Sequence, residues 1–167
     1  NIMLYQSMSG DAEVGHSSFT ATGGSILANA GDMFYVTNTT STISLTNVAL
    51  TLANENLLTV SGNSSSRGWG TTGANGGICT FLATQQTLNG IITVDSISSL
   101  DFQLADGSIF TGSINPTGAA GTVSVTLGSG CQWVLTGDSY ITSFTGDVSG
   151  IVTNGYTVYV NGTAITD

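Results

Sequence analysis

Three residues between positions 61 and 77 have side chains suited to binding a ligand: Arg67, Trp69 and Asn75. A guanidinium pairs with carboxylates, an exposed indole stacks on a sugar ring or an aromatic partner, and an amide both donates and accepts hydrogen bonds. Segment 61–77 is too polar and glycine-rich to form a packed strand, so we interpret it as a projecting loop and a candidate binding site. The more ordinary alternative is that Trp69 folds back over a neighbouring edge while Arg67 pairs with a nearby aspartate.

A set of aspartates is the second candidate for chemistry. Two carboxylates held close together could bind Ca²⁺ or act as the acid–base pair of a glycoside hydrolase. The set does not match the glycine- and aspartate-dense repeat that binds Ca²⁺ in β-rolls, and aspartates at turns are ordinarily solvated or hydrogen-bonded to the backbone. The sequence therefore predicts neither a metal site nor a cofactor. The residues concerned are Asp95, Asp101, Asp106, Asp138 and Asp147.

His16 is the only histidine and the third candidate. A nucleophilic site would need it beside an activated Ser and an orienting acid, and Ser17, Ser18, Asp11 and Glu13 are near it only along the chain. A surface or capping histidine is the simpler interpretation. Lyases of acidic polysaccharides also need basic residues, and this chain has one Arg and no Lys. We therefore expect no enzymatic activity.

The two cysteines, Cys79 and Cys131, are predicted to be buried thiols. Alternation of apolar and polar residues places Cys79 on the same side of a strand as Phe81, and Cys131 on the same side as Trp133. Their separation of 131 − 79 = 52 positions corresponds to about two copies of the repeat described below. Two such steps would hold the cysteines roughly 9.6 Å apart, which is beyond the reach of a disulfide.

The charge of the chain excludes several kinds of partner. Ten carboxylates against Arg67 give a formal net charge of −9. Such a chain has no basic patch to neutralise nucleic-acid phosphates or to bind an anionic membrane surface. No uninterrupted apolar run is long enough to cross a bilayer, so we expect no membrane insertion.

A short phrase of an apolar residue, Thr or Asn, and Gly recurs through the second half of the chain. Its first three glycines are 112 − 90 = 22 and 137 − 112 = 25 positions apart. The alternating pattern of segment 100–104 recurs in segment 123–127, which lies 127 − 104 = 23 positions later. A period in the twenties with apolar/polar alternation is typical of a solenoid built from strands. The four copies are Leu88-Asn89-Gly90, Phe110-Thr111-Gly112, Leu135-Thr136-Gly137 and Phe144-Thr145-Gly146.

These repeats predict an all-β fold, a single-stranded parallel β-helix (β-solenoid) of roughly seven coils in one domain, 1–167. Asn and Gly recur where a coil must turn, because they tolerate positive φ, and Thr and Asn can form ladders along a flat stacked sheet. Residues 1–18 and 147–167 are candidate caps of the two coil ends, and Asn161-Gly162 is a hairpin signal within the second. The alternative is an antiparallel β-sandwich, which the coil-length period argues against.

Three phrases resemble secreted β-strand-repeat proteins of Gram-positive bacteria, and the resemblance covers most of the chain from Gly10 to Gly162. It implies a right-handed parallel β-helix displayed outside the cell, usually without an assigned activity. It supplies no catalytic motif that could be carried over to this chain. The phrases are Gly31-Asp32-Met33-Phe34-Tyr35-Val36-Thr37-Asn38-Thr39-Thr40, Val94-Asp95-Ser96-Ile97-Ser98-Ser99-Leu100 and Leu135-Thr136-Gly137-Asp138-Ser139-Tyr140-Ile141.

We therefore expect a non-catalytic extracellular or cell-surface domain with a structural, display or adhesive role. A glycan or another cell-surface molecule is the expected partner. Two alternatives are a fibre subunit that polymerises by end-to-end stacking of coils and a carbohydrate-active enzyme on the same scaffold. Asn38, Asn63 and Asn161 match the N-glycosylation acceptor pattern, which arises easily by chance in a chain rich in Asn and Thr.

Overall fold

The computed structural model describes residues 1–6, 15–62, 73–118 and 121–166. The chain is nearly all β, with 58% strand and 2% helix, and its stacked parallel sheets form a β-solenoid of about six turns. This confirms the predicted β-solenoid. Among the described residues, no helix is long and apolar enough to cross a membrane.

The strands are numbered along the chain. The first nine are β1 (Ile2–Tyr5), β2 (His16–Thr22), β3 (Ser25–Leu27), β4 (Phe34–Thr37), β5 (Thr40–Thr46), β6 (Ala49–Thr51), β7 (Asn56–Val60), β8 (Ile78–Thr84) and β9 (Thr87–Val94). The others are β10 (Ser99–Ala105), β11 (Ile109–Ile114), β12 (Thr122–Leu127), β13 (Gln132–Leu135), β14 (Ser139–Ile141), β15 (Ser143–Gly146), β16 (Ile151–Val152), β17 (Val158–Val160) and β18 (Thr163–Ala164). A short 3₁₀ helix, Val148–Gly150, precedes β16.

Two long parallel sheets form the walls of the solenoid. Sheet A has the order β1-β4-β7-β9-β11-β13-β16, and sheet B has the order β15-β12-β10-β8-β5-β2. Smaller sheets stand at the corners, β3-β6 at the N-terminal end and β14-β17-β18 at the C-terminal end. Each coil thus contributes one strand to sheet A and one to sheet B, as expected for a parallel solenoid.

The coils differ in length, and this explains why about six turns form instead of the roughly seven expected. In sheet A, Ile2 pairs with Phe34, Phe34 with Leu58, and Leu58 with Ile92. The corresponding steps are 34 − 2 = 32, 58 − 34 = 24 and 92 − 58 = 34 positions. The first and third of these coils are longer than the period found in the second half of the chain, so the same length of chain completes fewer turns.

The repeats identified in the sequence are only partly in register. Segment 100–104 pairs residue for residue with segment 123–127, as predicted. Gly90 also pairs with Gly112, so the first two copies of the glycine phrase align. Gly112 then pairs with Leu135 and not with Gly137, so the third copy is displaced by two positions. The fourth copy belongs to sheet B, where Gly146 pairs with Leu127.

A stack of aromatic rings runs through the core between the two sheets. The ring of Phe102 lies 5.5 Å from that of Phe81 and 5.2 Å from that of Phe110, both in edge-to-face contact. Such contacts add to the free energy gained by burying the rings themselves. The stack therefore ties one coil to the next along the solenoid. In order it comprises Phe19, Phe34, Phe81, Phe102, Phe110 and Trp133.

The outward face of sheet B carries a ladder of short polar side chains, in which Ser stands beside Thr where the sequence predicts Thr and Asn. One row is composed of hydroxyl residues interrupted by a single aspartate, and at its end the hydroxyls of Ser124 and Ser143 are 2.9 Å apart. Short β-compatible side chains on successive parallel strands can contact one another in this way. The row consists of Ser18, Thr42, Thr80, Asp101, Ser124 and Ser143.

The coil corners and the C-terminal end follow the predicted turn chemistry. Asparagines at corners, Asn38, Asn47 and Asn115 among them, have positive φ. Strands β17 and β18 form an antiparallel hairpin, with positive φ at both Asn161 and Gly162 in its turn. The expected hairpin near the C-terminus is therefore present. At the other end, β1 and β2 begin sheets A and B, while 7–14, within the proposed N-terminal cap, lies outside the described residues.

Candidate functional site: a groove on sheet A

A groove of about 700 Å³ lies on the outward face of sheet A. Its floor includes Asn89 and Ile91 from β9 and Thr111 and Ser113 from β11, which alternation turns away from the core. Thr136, just after β13, extends it to the next coil. The groove therefore extends over three neighbouring coils along the solenoid axis.

The side of the groove is built by a corner that later coils do not have. Residues 47–55 lie between β5 and β7, and they include β6 and the bend after it. In the next coil only residues 85–86 separate β8 from β9. The coil that contains β6 is thus the last one with a wide corner. The coils after it are narrower, and the difference in width leaves a step on the surface. Leu52 and Glu55 of the wide corner line the groove beside the exposed strands.

A backbone contact fixes the corner against the floor. The Ile91 N–H donates a hydrogen bond of 2.7 Å to the Glu55 carbonyl. Gly90 permits this approach, because a Cβ at that position would lie 2.6 Å from the same carbonyl oxygen. Gly90 also has a φ of +117°, a conformation that other residues rarely adopt. The glycine phrase thus shapes the groove as well as marking the repeat.

Several polar side chains face the groove without a protein partner. Ser113 is only 3% exposed, yet its hydroxyl forms no hydrogen bond with any described residue. The same holds for the side chains of Glu55, Asn89, Thr111 and Thr136, all of which line the groove. None of these side-chain atoms is among the buried atoms without a partner in the described residues, so each reaches solvent in the groove and is available to a ligand or to water.

Nothing matches this chain in comparisons with family models, characterised proteins and solved structures. The chemistry of the groove therefore has to be inferred from its own residues. Only Glu55 carries a charge among the described side chains that line it. Apolar contacts come from Leu50, Leu52, Ile91 and Pro116. This combination offers a ligand apolar surface together with neutral hydrogen-bonding groups.

Of the ligand-binding residues predicted from the sequence, Asn75 is described, and it does not line the groove. Arg67 and Trp69 lie outside the described residues, and their role stays a prediction. Asn75 is half-buried with a φ of +63°, and its carbonyl accepts a 3.0 Å hydrogen bond from the Asn38 N–H. Its backbone therefore links two neighbouring coils.

The two ends of the predicted loop 61–77 meet the same turn of the next coil. The Gly62 N–H donates to the Asp95 carboxylate at 2.7 Å, and the Gly77 N–H donates to the Ser98 hydroxyl at 3.1 Å. A Cβ at Gly62 would lie 2.3 Å from the Ile97 side chain, so glycine permits this close packing. The described flanks of the predicted loop thus lie against the solenoid wall.

Of the five candidate aspartates, Asp95, Asp101, Asp138 and Asp147 each accept a local hydrogen bond. Asp95 accepts from Gly62 as described, and the Asp138 carboxylate accepts from the Thr157 N–H at 2.9 Å. The Asp147 carboxylate accepts from Ser149, and these hydrogen bonds lower the pKa of Asp147. The described residues contain no group of three or more His, Cys, Asp or Glu side chains that could hold a metal ion.

His16 and the cysteines occupy the environments expected of them. His16 is exposed at the start of β2, opposite Thr40 of β5. Cys79 and Cys131 are both free and buried. Burial raises the pKa of the Cys79 thiol to about 11, although a hydrogen bond with Ser41 acts in the opposite direction. A thiol held protonated in this way is a small apolar filler of the core.

Proposed function

We propose that this chain is a non-catalytic, rigid rod of an extracellular or cell-surface protein, with a display or adhesive role. The observation that carries the proposal is the pair of continuous parallel sheets held by one aromatic stack from Phe19 to Trp133. Each coil is hydrogen-bonded to the next and buries an apolar residue against it, so the coils form a single stiff unit. A stiff rod suits a domain that holds a binding surface away from its point of attachment.

The charge and surface chemistry support an extracellular role. The net charge of −9 with one basic residue is suited to staying soluble without binding nucleic acid or anionic membranes. The strands of sheet B are hydrogen-bonded to one another and expose short Ser and Thr side chains, so this wall offers proteases few sites to attack. Both properties favour persistence outside the cell, and they agree with the resemblance to secreted strand-repeat proteins.

The proposal is tested with the purified chain in three measurements. Small-angle scattering is expected to give the profile of a rigid folded particle, and the chain is expected to survive prolonged treatment with proteinase K or pepsin. Incubation with a panel of neutral and acidic polysaccharides is expected to release neither new reducing ends nor unsaturated sugars. A flexible, rapidly degraded particle would contradict the structural role, and accumulating sugar products would establish an enzyme instead.

The fibre alternative requires both coil ends to accept another coil. At the C-terminal end, β18 runs antiparallel to β17, so it cannot continue the parallel register of the preceding strands. This favours a discrete rod over end-to-end growth. Electron microscopy over a range of concentrations is expected to show dispersed rods. A truncated chain ending at Gly155, which lacks the hairpin, serves as the comparison, and filaments of the full chain would favour the fibre.

A further inference from the structure

We propose that the groove on sheet A binds a neutral, linear oligosaccharide laid along the solenoid axis. The inference rests on the proposed adhesive role and names its ligand class and its site. It depends on the groove lined by Glu55, Asn89, Thr111, Ser113 and Thr136, and not on segment 63–72.

The size and direction of the groove favour a short linear chain. Its volume of about 700 Å³ falls within the range of small-molecule binding sites. It crosses β9 and β11 and reaches the residues just after β13, which at about 4.8 Å per strand spans roughly 10 Å along the axis. A single ion would leave most of this length empty, and one sugar ring would leave part of it. An extended oligomer of a few sugar units would fill it and could continue past the open ends.

The polar groups of the groove match sugar hydroxyls. A sugar hydroxyl both donates and accepts, as do the hydroxyls of Thr111, Ser113 and Thr136 and the amide of Asn89. These groups stand on successive coils, so each unit of a ligand running along the axis meets a similar set. The Ser113 hydroxyl adds to this set, because it reaches the groove without a hydrogen-bond partner among the described residues. A ligand hydroxyl would satisfy it.

The apolar and charged residues of the groove narrow the ligand class. Leu52, Ile91 and Pro116 offer contact to the C–H faces of sugar rings. Glu55 is the only charged lining residue of the described chain, and its carboxylate accepts hydrogen bonds from hydroxyls. Acidic sugars and phosphates would be repelled by Glu55 and by the net charge of −9. Uncharged donors and acceptors outnumber the single carboxylate, so a neutral ligand fits better than a cationic peptide.

The test compares defined probes on the native chain. Isothermal titration calorimetry uses linear neutral hexasaccharides of glucose, mannose and N-acetylglucosamine, with hexagalacturonate as the acidic probe and hexalysine as the cationic one. We expect at least one neutral hexasaccharide to bind and hexagalacturonate not to bind. Amide chemical-shift mapping is expected to place the perturbations on β9, β11 and the corner 52–55.

Matched variants locate the binding. Thr111→Val removes one groove hydroxyl with little change of shape, and we expect affinity to fall by about three- to tenfold. Thr136→Tyr at the exposed rim should obstruct the groove and abolish binding. Thr80→Val on sheet B is the control and is expected to bind as the native chain does. Melting temperatures of the three variants are compared first, so that a loss of binding is not a loss of folding.

Three results would overturn the assignment. The first is that no neutral hexasaccharide binds at millimolar concentration. The second is equal affinity of the Thr111→Val and Thr80→Val variants, which would place binding outside the groove. The third is binding of hexalysine alone, lost in Glu55→Gln, which would make the groove a site for cationic peptides. In each case the rod shape and the lack of sugar cleavage would still stand, so the proposed function is judged separately.

Discussion

The indole nitrogen of Trp133 donates a 3.1 Å hydrogen bond to the backbone carbonyl of Gly112 on the neighbouring coil. The ring of Trp133 is fully buried and stacks on Phe110, 6.0 Å away between centroids. A buried indole N–H needs an acceptor, and the Gly112 carbonyl satisfies this requirement in the interior of the solenoid. The end of the aromatic stack is thus fixed by packing and by one hydrogen bond together.

Gly112→Ala is expected to destabilise the chain by about 1–3 kcal/mol, the usual cost of overpacking a core. A Cβ at this position would lie 2.0 Å from the Gly90 carbonyl oxygen and 2.6 Å from the Phe110 ring, so backbone and ring must both move. Urea denaturation measures the effect. Gly137→Ala is the control, because its Cβ would meet Ser113 at an ordinary 3.5 Å. Equal stability of the two variants would contradict this account of Gly112.

Phe102→Ala is expected to cost about 3–5 kcal/mol, since the fully buried ring sits within the aromatic stack. Removing it leaves a cavity and breaks contacts with both Phe81 and Phe110. The same substitution at Phe19 should cost clearly less, because that ring is only half-buried and terminates the stack. Guanidinium denaturation of both variants gives the comparison, and a larger loss at Phe19 would argue against a continuous core.

The solenoid itself was predictable because its strands repeat in register along sheet B. The alternation in segments 100–104 and 123–127 reflects a direct pairing of β10 with β12, and the period of 23 is a real coil length. The inward cysteines follow from the same alternation. Patterns of period two report which side of a strand faces the core, and a parallel stack repeats that choice in every coil.

The offset of the third glycine phrase shows where sequence reasoning fails. Leu135-Thr136-Gly137 looks like a copy of Phe110-Thr111-Gly112, yet the strand register aligns Trp133 with Phe110. The first residues of β11 and β13, Ile109 and Gln132, pair with each other, so the phrase simply lies two positions further along β13. Corner lengths also differ from coil to coil, so a recurring phrase gives the period only approximately.

The groove could not be predicted from the sequence either, because the length of each corner does not follow from the repeat. It exists because residues 47–55 make a wide corner in one coil while residues 85–86 make a narrow one in the next. From the sequence alone, Thr111 and Ser113 are ordinary outward residues of a strand. Only the step between the wide and the narrow coils places them on a groove floor. The emphasis on Arg67 and Trp69 came from residue type alone, which identifies chemistry but not its position in the fold.

Gln86→Leu is expected to destabilise the chain by about 1–3 kcal/mol for each polar group left unpaired. The buried Gln86 amide accepts from the Val48 N–H at 2.8 Å and donates to the Val48 carbonyl at 2.7 Å. One side chain therefore satisfies both backbone groups of a residue on the neighbouring coil. Gln132→Leu, at the exposed start of β13, is the matched control and should change stability by about 0.5 kcal/mol or less. Thermal unfolding compares the stabilities of the two variants. Similar losses of stability would mean that the hydrogen bonds of Gln86 to Val48 contribute nothing specific.

Cys79 is expected to make the stability of the chain fall as the solution becomes alkaline. Burial raises the pKa of the folded thiol to about 11, against an ordinary value of 9.0 in the unfolded chain. Between pH 9 and 11 the unfolded chain therefore binds fewer protons than the folded one, so unfolding becomes more favourable as pH rises, while below pH 9 the contribution is fully retained. Cys79→Ala should flatten this part of the pH profile measured by urea denaturation.

Thiol reactivity gives a second measure of the same burial. At pH 8 the native thiol of Cys79 is expected to react with a disulfide reagent far more slowly than in the urea-unfolded chain, because only the thiolate attacks and the core excludes the reagent. Measuring the rate in a Cys131→Ala background isolates Cys79. Rapid reaction of the native thiol, or an alkaline profile unchanged by Cys79→Ala, would show that this residue is accessible or ionises normally. The buried position opposite Ser41 and Leu100 on the neighbouring strands of sheet B would then be wrong.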